Sequence, residues 1–236
     1  MKILVIVAHP DDEILGVGGT MLKHVKMGDR VRVIYLATGI TSRRGKSHQN
    51  VSNYQSHEKL DKTMKQQIDN LRKDAKNACK TLKVNDISFY DFPDNEMDSI
   101  SLLKIIKTIE TEIEKTKPDR IYTHHKNDLN IDHRIVFNAT LTACRPVNQK
   151  TPDVYSFDVP SSTEWNFPNT FSPNYFVNIE KELQKKLDSM NKYKNELKKF
   201  PHPRSIEGIK ASATKWGTVC GKKAAEAFEV IRIIED

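Results

Sequence analysis

Long apolar runs are missing from this chain of 236 residues. No stretch approaches the ~20 consecutive apolar residues that a membrane-spanning helix needs, which argues against a transmembrane protein. The apolar stretch nearest the start, residues 3–8, is too short for the core of a signal peptide, and acidic residues follow it almost at once. We therefore expect a cytoplasmic protein without a membrane span.

Cysteine is scarce as well. The chain has three cysteines that lie far apart in the sequence, and none of them forms a CxxC pair. An odd and sparse set argues against a disulfide framework and is typical of proteins from reducing compartments. The missing CxxC pair also excludes a zinc knuckle held by thiolates.

Basic residues outnumber acidic residues, 38 against 31, which gives a formal net charge of +7. Such an excess can indicate a basic nucleic-acid-binding protein. Proteins of that class gather basic residues with aromatic side chains between them, and no such segment is visible. The basic residues lie mostly in segments such as 181–199, where acids and amides are interspersed. We interpret them as a solvated surface and expect no nucleic-acid partner, while a homo-oligomer stays open.

Apolar periodicity predicts alternating strands and helices over the first part of the chain. The predicted strands cover residues 3–8, 31–36, 87–90 and 120–123, and the predicted helices cover residues 14–27, 55–82, 100–116 and 132–144. This alternation is typical of a mostly parallel sheet with helices on both faces. The expected fold class is therefore α/β.

The rest of the chain is less regular. Strands are predicted at residues 154–159, 175–179 and 227–234, and helices at residues 180–199 and 205–224. No linker divides the chain. We therefore expect a single domain over residues 1–236, in which these last elements form a C-terminal elaboration.

A histidine and three acids follow the first predicted strand: His9, Asp11, Asp12 and Glu13. Ligands of open α/β sheets bind at the carboxyl ends of the strands, and these side chains follow such an end. An acid at this point could instead cap the following helix, because helix N-termini favour negative charge. Capping explains one aspartate, but it does not explain His9.

A second polar cluster, residues 124–134, follows the fourth predicted strand and holds three histidines and two aspartates. If both strands are central and adjacent, His9, Asp12 and His133 can converge on one point. Two imidazoles and one carboxylate are the protein ligands of an open catalytic zinc site. Asp11 beside them could then serve as the base for a metal-bound water.

Other classes of protein compete with this interpretation. Two histidines and a carboxylate also bind iron(II) in non-haem oxygenases, so Fe²⁺ is an alternative to Zn²⁺. The His-x-x-Asp spacing in an α/β pattern disfavours such an oxygenase, whose usual pair is His-x-Asp/Glu on a β-barrel. Gly16, Gly18 and Gly19 suggest a dinucleotide loop. They lie inside the first predicted helix, however, so they favour a close approach of that helix to the sheet.

The motif AHPDDE after the first strand, followed by a DH pair in the second cluster, resembles the PIG-L/LmbE family of zinc-dependent de-N-acetylases. The resemblance extends over nearly the whole chain and includes SSTEW (161–165), PHPRS (201–205) and AEAF (225–228). It implies a Rossmann-like fold, zinc held by His9, Asp12 and His133, and Asp11 as the general base. It also implies the activity, in which zinc-bound water removes an N-acetyl group from a small molecule that contains an amino sugar, such as N-acetylglucosamine.

One departure from the family pattern lies in the second cluster. Many members have His-Pro-Asp-His there, whereas this chain has Asn-Ile-Asp-His at residues 130–133. Asn130 can donate a hydrogen bond to an oxyanion, but it cannot act as a general acid. Either Asp11 handles both proton transfers or another histidine contributes; His202 is the first candidate, followed by His124 or His125. Asp132 is expected to orient a neighbouring histidine.

Substrate contacts are predicted on three later segments. Arg43 and Arg44 could bind sugar hydroxyls or a phosphate, or could simply form an exposed basic loop. Trp165 could stack on a sugar ring, although ordinary packing explains it equally well, and Glu164 beside it could bind a hydroxyl. Arg204 is expected either to contact the substrate or to cap a helix.

Overall fold

A seven-stranded sheet forms the centre of the protein, whose computed structural model describes residues 1–40, 62–147, 151–169 and 171–235. Its strands are β1 (Lys2–Val7), β2 (Arg30–Ala37), β3 (Asp86–Phe92), β4 (Arg120–His124), β5 (Asp153–Phe157), β6 (Tyr175–Asn178) and β7 (Ala225–Arg232). They lie in the order β3-β2-β1-β4-β5-β7-β6. The first five in this order pair in parallel, and β7 runs antiparallel to β5 and β6. The order therefore reverses between β1 and β4, the point at which open α/β sheets bind ligands.

Six α-helices of the described part of the chain cover the two faces of the sheet. They are α1 (Asp12–Lys26), α2 (Lys62–Thr81), α3 (Leu102–Thr116), α4 (Ile131–Ala143), α5 (Leu183–Met190) and α6 (Ile206–Val219). Side chains alternate across a strand, so Val5 of β1 packs into one core with α1, α2, α5 and α6, and Ile6 packs into the other with α3 and α4. Among the described residues, no helix has the length and apolar character that crossing a bilayer requires.

The predicted fold class is confirmed, because the sheet is mostly parallel and helices cover both of its faces. The predicted helix over 180–199 is wrong in its second half. After α5 the chain turns through hydrogen bonds from Lys192 N–H to the Ser189 carbonyl and from Tyr193 N–H to the Met190 carbonyl, each 3.0 Å long. These turns bury the Tyr193 ring completely, so tertiary packing overrides helix propensity.

Helix α1 lies close against its neighbours, and glycine permits this approach. A Cβ atom at Gly16 would lie 2.1 Å from Cδ2 of Phe157 on β5, and a Cβ atom at Gly19 would lie 2.8 Å from Cγ2 of Ile179. Side chains cannot occupy such positions without moving their neighbours. The glycines inside α1 therefore serve close packing, as the sequence indicates.

Replacing Gly16 with alanine should lower the free energy of unfolding by about 2 kcal/mol, because the added methyl group overpacks the contact with Phe157. Urea unfolding measures the change. The control is Gly18→Ala on the same helix, where the nearest atom to the new Cβ is 3.4 Å away. That variant should be unchanged or slightly more stable, because alanine is the better helix former. Equal stabilities of the two variants would contradict the close packing of α1.

A buried ion pair joins α1 to the C-terminal elaboration. Lys186 Nζ on α5 lies 2.6 Å from Glu226 Oε1 on β7. The Glu226 carboxylate also accepts hydrogen bonds from the N–H groups of Gly19 and Thr20, at 2.8 and 2.7 Å, and Lys186 donates to the Leu15 carbonyl at 2.8 Å. The middle of α1 is thus tied to two later elements, and both buried charges are hydrogen-bonded.

Candidate active site

The predicted site residues meet at the carboxyl ends of β1 and β4, where the strand order reverses. The loop after β1 carries His9 and leads into α1, whose first residue is Asp12. The loop after β4 leads into α4, whose first turn carries His133. Because β1 and β4 are neighbours in the sheet, the two loops lie side by side.

Three donor atoms face one another at this point. His9 Nδ1 and His133 Nε2 are 3.3 Å apart, and Asp12 Oδ2 lies 3.3 Å from His133 Nε2 and 3.4 Å from His9 Nδ1. In a tetrahedral zinc site with bonds of ~2.0–2.1 Å, neighbouring ligand atoms lie ~3.3–3.4 Å apart. The three side chains therefore fit a tetrahedral metal ion and leave the fourth position open.

The charges around these donors also suit a cation. Burial opposes the charge on Asp12, but the His133 and His124 rings lower the pKa of Asp12 well below its ordinary value. Burial likewise opposes protonation of His133, yet Asp12 and Asp128 raise the pKa of His133 to about 9. The carboxylates thus favour a positive charge at this position. A divalent metal ion would supply that charge in place of the proton on His133, because a metal displaces the proton of the imidazole nitrogen that it binds.

Two carboxylates fix the ring of His9 from its other side. Its Nε2 atom lies 2.9 Å from Asp132 Oδ2 and 3.0 Å from Asp94 Oδ1. Asp132 is held in turn by the backbone N–H groups of Asn95 and Met97, at 2.6 and 3.1 Å. A carboxylate at Nε2 favours the tautomer that carries its proton there, so the Nδ1 lone pair faces His133 and Asp12. His9, Asp94 and Asp132 also form a second group with metal-ligand spacing.

A carboxylate also lies on the far side of the His133 ring. Its Nδ1 atom lies 3.2 Å from Asp128 Oδ1. The Asp128 carboxylate accepts hydrogen bonds from the hydroxyl of Ser162 and, at 2.6 Å, from that of Thr163. Burial opposes its charge, but His133 and the two hydroxyls lower the pKa of Asp128 below its ordinary value. The segment after β5 thus helps to orient a side chain on α4.

Asp11 lies beside the three donors without belonging to the set. It is the N-cap residue of α1 and has a φ of 113°, a left-handed conformation that is unusual for aspartate. Arg204 Nη1 donates to its Oδ2 atom at 2.8 Å. Burial raises the pKa of Asp11 well above its ordinary value, while Arg204 opposes that rise. Asp11 is therefore a buried carboxylate that is held by one arginine and is adjacent in the chain to Asp12.

The Glu13 carboxylate is hydrogen-bonded to the loop that carries Asp11. Its Oε2 atom accepts a hydrogen bond from Asp11 N–H at 3.0 Å, and its Oε1 atom accepts one from the Tyr193 hydroxyl at 2.6 Å. Burial raises the pKa of Glu13 to about 7, although the Tyr193 hydroxyl opposes the rise. A tyrosine from the turns after α5 thus reaches the loop after β1 through one carboxyl group.

Replacing Tyr193 with phenylalanine should lower the free energy of unfolding by about 1–3 kcal/mol, because Glu13 loses a buried hydrogen-bond donor. Thermal or urea unfolding measures this. The control is Tyr175→Phe, since the Tyr175 hydroxyl makes no hydrogen bond within the part of the chain that the structure describes. Equal stability of both variants and the unchanged protein would show that the Glu13–Tyr193 bond carries no net stabilisation.

Asn130 and His202, predicted as further catalytic residues, have structural partners. Asn130 caps α4, since its Oδ1 atom accepts the Asp132 N–H at 2.8 Å, and its amide group donates to Asn95 Oδ1 at 2.8 Å. His202 accepts the Arg204 N–H on Nδ1 at 3.0 Å and forms no hydrogen bond with the three donor residues among the described contacts. Arg204 connects His202 to Asp11, since the backbone N–H of Arg204 donates to His202 and its side chain donates to Asp11.

The predicted substrate residues divide into three groups. Arg204 contacts Asp11 of the candidate site. It does not cap α6, because the cap is Ser205, whose hydroxyl accepts the Gly208 N–H at 2.9 Å. Glu164 and Trp165 are exposed. The Trp165 ring meets the His202 ring edge-on, with centroids 5.6 Å apart. Arg43 and Arg44 lie outside the described residues.

Sequence reasoning missed Asp94 as a site residue and the supporting roles of Asp128 and Glu13, and it considered His124 only as an alternative catalytic histidine. The His124 ring stacks on the His133 ring, with centroids 3.9 Å apart, and its Nε2 atom accepts the Ala8 N–H at 2.8 Å. Asp94 follows the carboxyl end of β3 and so lies at the same edge of the sheet. The position of Asp94 after a strand was the signal in the sequence that could have identified it. The residue types around Asp94 gave no further signal, since they are those of an ordinary turn.

Comparison with protein families matches residues 4–144 to PIG-L, described as GlcNAc-PI de-N-acetylase. The chain belongs to the PIG-L family. The matched segment contains both loops of the site, from His9 to His133. The resemblance predicted from AHPDDE is confirmed, and with it the enzyme class, an N-deacetylase of the PIG-L family.

Two curated relatives of this PIG-L protein are deacetylases. The chain is 26% identical over 199 residues to YaiS of Escherichia coli (strain K12), an uncharacterized deacetylase, with 82% of this chain and 90% of the relative covered. It is 25% identical over 242 residues to diacetylchitobiose deacetylase of Thermococcus kodakarensis, with 98% and 83% covered. Both relatives therefore align over most of their length.

Among solved structures, the fold is similar to that of GalB, the 4-carboxy-2-hydroxymuconate hydratase of Pseudomonas putida KT2440. The TM-score is 0.75 at 19% identity, and the match covers 100% of this chain and 98% of that chain. Identity this low shows a shared fold alone. The hydratase also illustrates that one fold supports more than one reaction.

Proposed function

We propose that the protein hydrolyses the N-acetyl group of an amino-sugar-containing small molecule and releases acetate and a free amine. The observation that carries this proposal is the tetrahedral spacing of the His9, Asp12 and His133 donors beside the buried carboxylate of Asp11. Membership of a de-N-acetylase family supports the same reaction.

His9 Nδ1, Asp12 Oδ2 and His133 Nε2 would hold a zinc ion, and iron(II) accepts the same ligand types. When bound, the metal lowers the pKa of a water molecule towards ~7 and polarises the acetamide carbonyl. Asp132 and Asp94 keep the proton of His9 on Nε2, and Asp128 does the same for Nδ1 of His133. Each ring therefore offers a lone pair to the metal position.

Asp11 takes the proton of the attacking water and later gives it to the departing amine. Its burial suits this role, because a carboxyl group with a raised pKa can hold the proton between the two steps. Arg204 holds the carboxylate in place at 2.8 Å. With one residue serving both transfers, the asparagine at position 130 does not prevent the reaction.

Asn130 would stabilise the negative charge that develops on the acetamide oxygen. Its amide group has two N–H donors, and one of them donates to Asn95 Oδ1. We assign the second to the oxyanion, because a donor fixed by a helix cap and by Asn95 needs no reorganisation during the reaction. His202 is assigned to the substrate side, since its Nδ1 atom already accepts the Arg204 N–H.

The sugar itself would lie over the loops around the site. We assign Trp165 to one face of the ring and Glu164 to a hydroxyl group, because both side chains are exposed next to Thr163, which holds Asp128. Arg43 and Arg44 are assigned to hydroxyl or phosphate groups of the substrate. The Arg204 side chain donates to Asp11 and to the hydroxyl of Ser161, so it lies between Asp11 and the segment that carries Glu164 and Trp165.

The test is a screen of N-acetyl sugars and their glycosides for the release of new amines, read with fluorescamine. We expect equal amounts of acetate and amine from at least one compound, and loss of this activity after chelation of the metal. Uptake of oxygen with a 2-oxo acid would instead support an iron(II) oxygenase. Hydration of an unsaturated acid without amine release would favour the chemistry of the hydratase with the similar fold.

A further inference from the structure

A cavity of about 200 Å³ lies at the amino ends of β1, β2 and β3, on the opposite edge of the sheet from the candidate active site. Strand β1 runs from Lys2 to Val7, so at ~3.3 Å per residue roughly 16 Å of strand separate this cavity from the loop that carries His9. Six residues with polar side chains line it: Lys2, Arg30, Arg32, Asp86, Lys115 and Thr116. We call it the basic cavity. A ligand held here would not contact a substrate at the proposed metal position.

The strand register places Lys2 and Arg30 side by side on one face of the sheet. Their Cα atoms are partners in the parallel pairing of β1 with β2, and neighbouring strands lie ~4.8 Å apart. Leu4, two residues after Lys2, packs into the core with α3, so side-chain alternation directs Lys2 and Arg30 to that face. The last turn of α3, which carries Lys115 and Thr116, lines the cavity from the helix side.

Two of the four cations at the basic cavity are paired with acids. Arg32 donates to Glu112 Oε2 through Nε at 2.8 Å and through Nη2 at 2.6 Å, and its Nη1 atom pairs with Asp86. Lys115 Nζ lies 2.9 Å from Glu112 Oε1. Two carboxylates therefore balance two of the positive charges.

Lys2 and Arg30 have no such partners. Neither side chain forms a hydrogen bond or an ion pair with another described residue. Like charges directly opposite each other on neighbouring strands are destabilising, and a concave wall strengthens the positive potential between them. The carboxyl end of α3 offsets only about half a charge. The pair therefore favours an anion that accepts hydrogen bonds from both side chains.

Thr116 supplies a third group at the wall of the cavity. Its hydroxyl oxygen is buried and has no hydrogen-bond partner within the described part of the chain. Most buried hydroxyls are hydrogen-bonded, and one without a protein partner often accompanies a bound water or ion. This hydroxyl therefore points to a ligand independently of the charges.

The size and charge of the basic cavity select the ligand. Its volume of about 200 Å³ corresponds to roughly six or seven waters at ~30 Å³ each. That is enough for a phosphate group, and it is below the ~300–1,000 Å³ of sites that enclose a drug-sized ligand. At neutral pH a phosphomonoester carries a charge of about −1.5 to −2, which matches two unpaired cations. Arginine binds phosphate oxygens in a bidentate manner, and lysine binds them as a point charge.

We propose that the basic cavity binds a phosphate group, carried either by inorganic phosphate or by a small phosphomonoester whose organic part stays in solvent. Lys2 and Arg30 are its principal contacts, and Lys115 and the Thr116 hydroxyl add further donors. The site is separate from the candidate active site and does not depend on the proposed function.

Equilibrium dialysis of the full-length protein against ³²P-labelled inorganic phosphate, at constant ionic strength, measures the binding. We expect Arg30→Gln to raise Kd about tenfold, the value of one charge-assisted hydrogen bond, and Lys2→Gln/Arg30→Gln to raise it further. Both residues are exposed, so these variants should fold. The control is Lys222→Gln/Lys223→Gln, which also removes two exposed positive charges but lies between α6 and β7, outside the cavity. It should keep the Kd of the unchanged protein.

A phosphate ion bound at the proposed metal position would be insensitive to Lys2 and Arg30. A Lys2→Gln/Arg30→Gln protein that binds phosphate as tightly as the unchanged protein would therefore overturn the proposal. A control variant that loses as much affinity would overturn it as well, because general attraction to a basic surface would then explain the binding. Neither result bears on the proposed hydrolysis, which is tested by amine release alone.

Competing ligands identify the source of the phosphate group. Displacement of labelled phosphate by glucose 6-phosphate at similar concentrations would assign the site to phosphomonoesters, and displacement by unlabelled phosphate alone would assign it to the free ion. Acetate, with a single charge, should compete only at concentrations about tenfold higher or more. Acetate that competes as well as phosphate would overturn the assignment to a doubly charged anion.

Discussion

Asp11→Asn should lower kcat/KM by about 10²–10⁴-fold while the protein keeps its full content of metal. Asparagine has the same shape as aspartate, but it cannot take the proton of the attacking water. Asp11 is not one of the three donors, so the metal position remains intact. The measurements are amine release from an N-acetyl sugar and metal content by atomic absorption after dialysis.

The control for Asp11→Asn is Asp86→Asn. Asp86 also pairs with an arginine, Arg32, but it lies at the amino end of β3, on the opposite edge of the sheet from the site. This variant should keep its activity. Unchanged activity of Asp11→Asn would remove Asp11 from the mechanism, and loss of its metal would show that Asp11 is a ligand.

His133→Ala should lose both the metal and the activity. The metal position then retains two donors, His9 and Asp12, and the carboxylates of Asp12 and Asp128 lose the imidazole between them. Removing one partner of a buried charged pair costs roughly 3–5 kcal/mol, so the variant should also unfold at a lower temperature. Metal content, amine release and thermal unfolding are measured on the same preparation.

His125→Ala is the control for His133→Ala. His125 is as deeply buried and follows the same strand, but its Nδ1 atom lies 3.1 Å from Glu229 Oε2, away from the three donors. It should keep its metal at full stoichiometry. A His133→Ala protein that also binds one metal ion per chain would place the metal elsewhere and remove the basis of the proposed reaction.

The loops after β1 and β4 could be predicted from the sequence because local pattern and topology agree there. Purely structural roles rarely explain a histidine and two aspartates directly after an apolar strand. The predicted alternation of strands and helices indicates in addition that the sheet is parallel. The prediction assumed that the two strands are neighbours in the sheet, and the register that pairs Leu4 with Ile121 confirms this.

The supports of these loops could not be predicted, because they join residues far apart in the chain. Tyr193 has the spacing of a helix face after Met190, but the chain turns there, and the turn buries the Tyr193 ring and brings its hydroxyl to Glu13, 180 positions away. In the sequence Asp94 resembles a turn residue, whereas in the structure its Oδ1 atom lies 3.0 Å from His9 Nε2. Short-range patterns carry no information about such partners.

The ion pair of Lys186 and Glu226 bears on how much of the chain makes an autonomous unit. The family match ends at residue 144, although α1, the helix that begins with Asp12, depends on both later residues for hydrogen bonds to its backbone. A fragment cut after the matched segment would lack both side chains and would expose to water the buried face of α1 that they contact. The three proposed metal ligands thus all lie within the matched segment, but the side chains that hold α1 in place come from the final third of the chain.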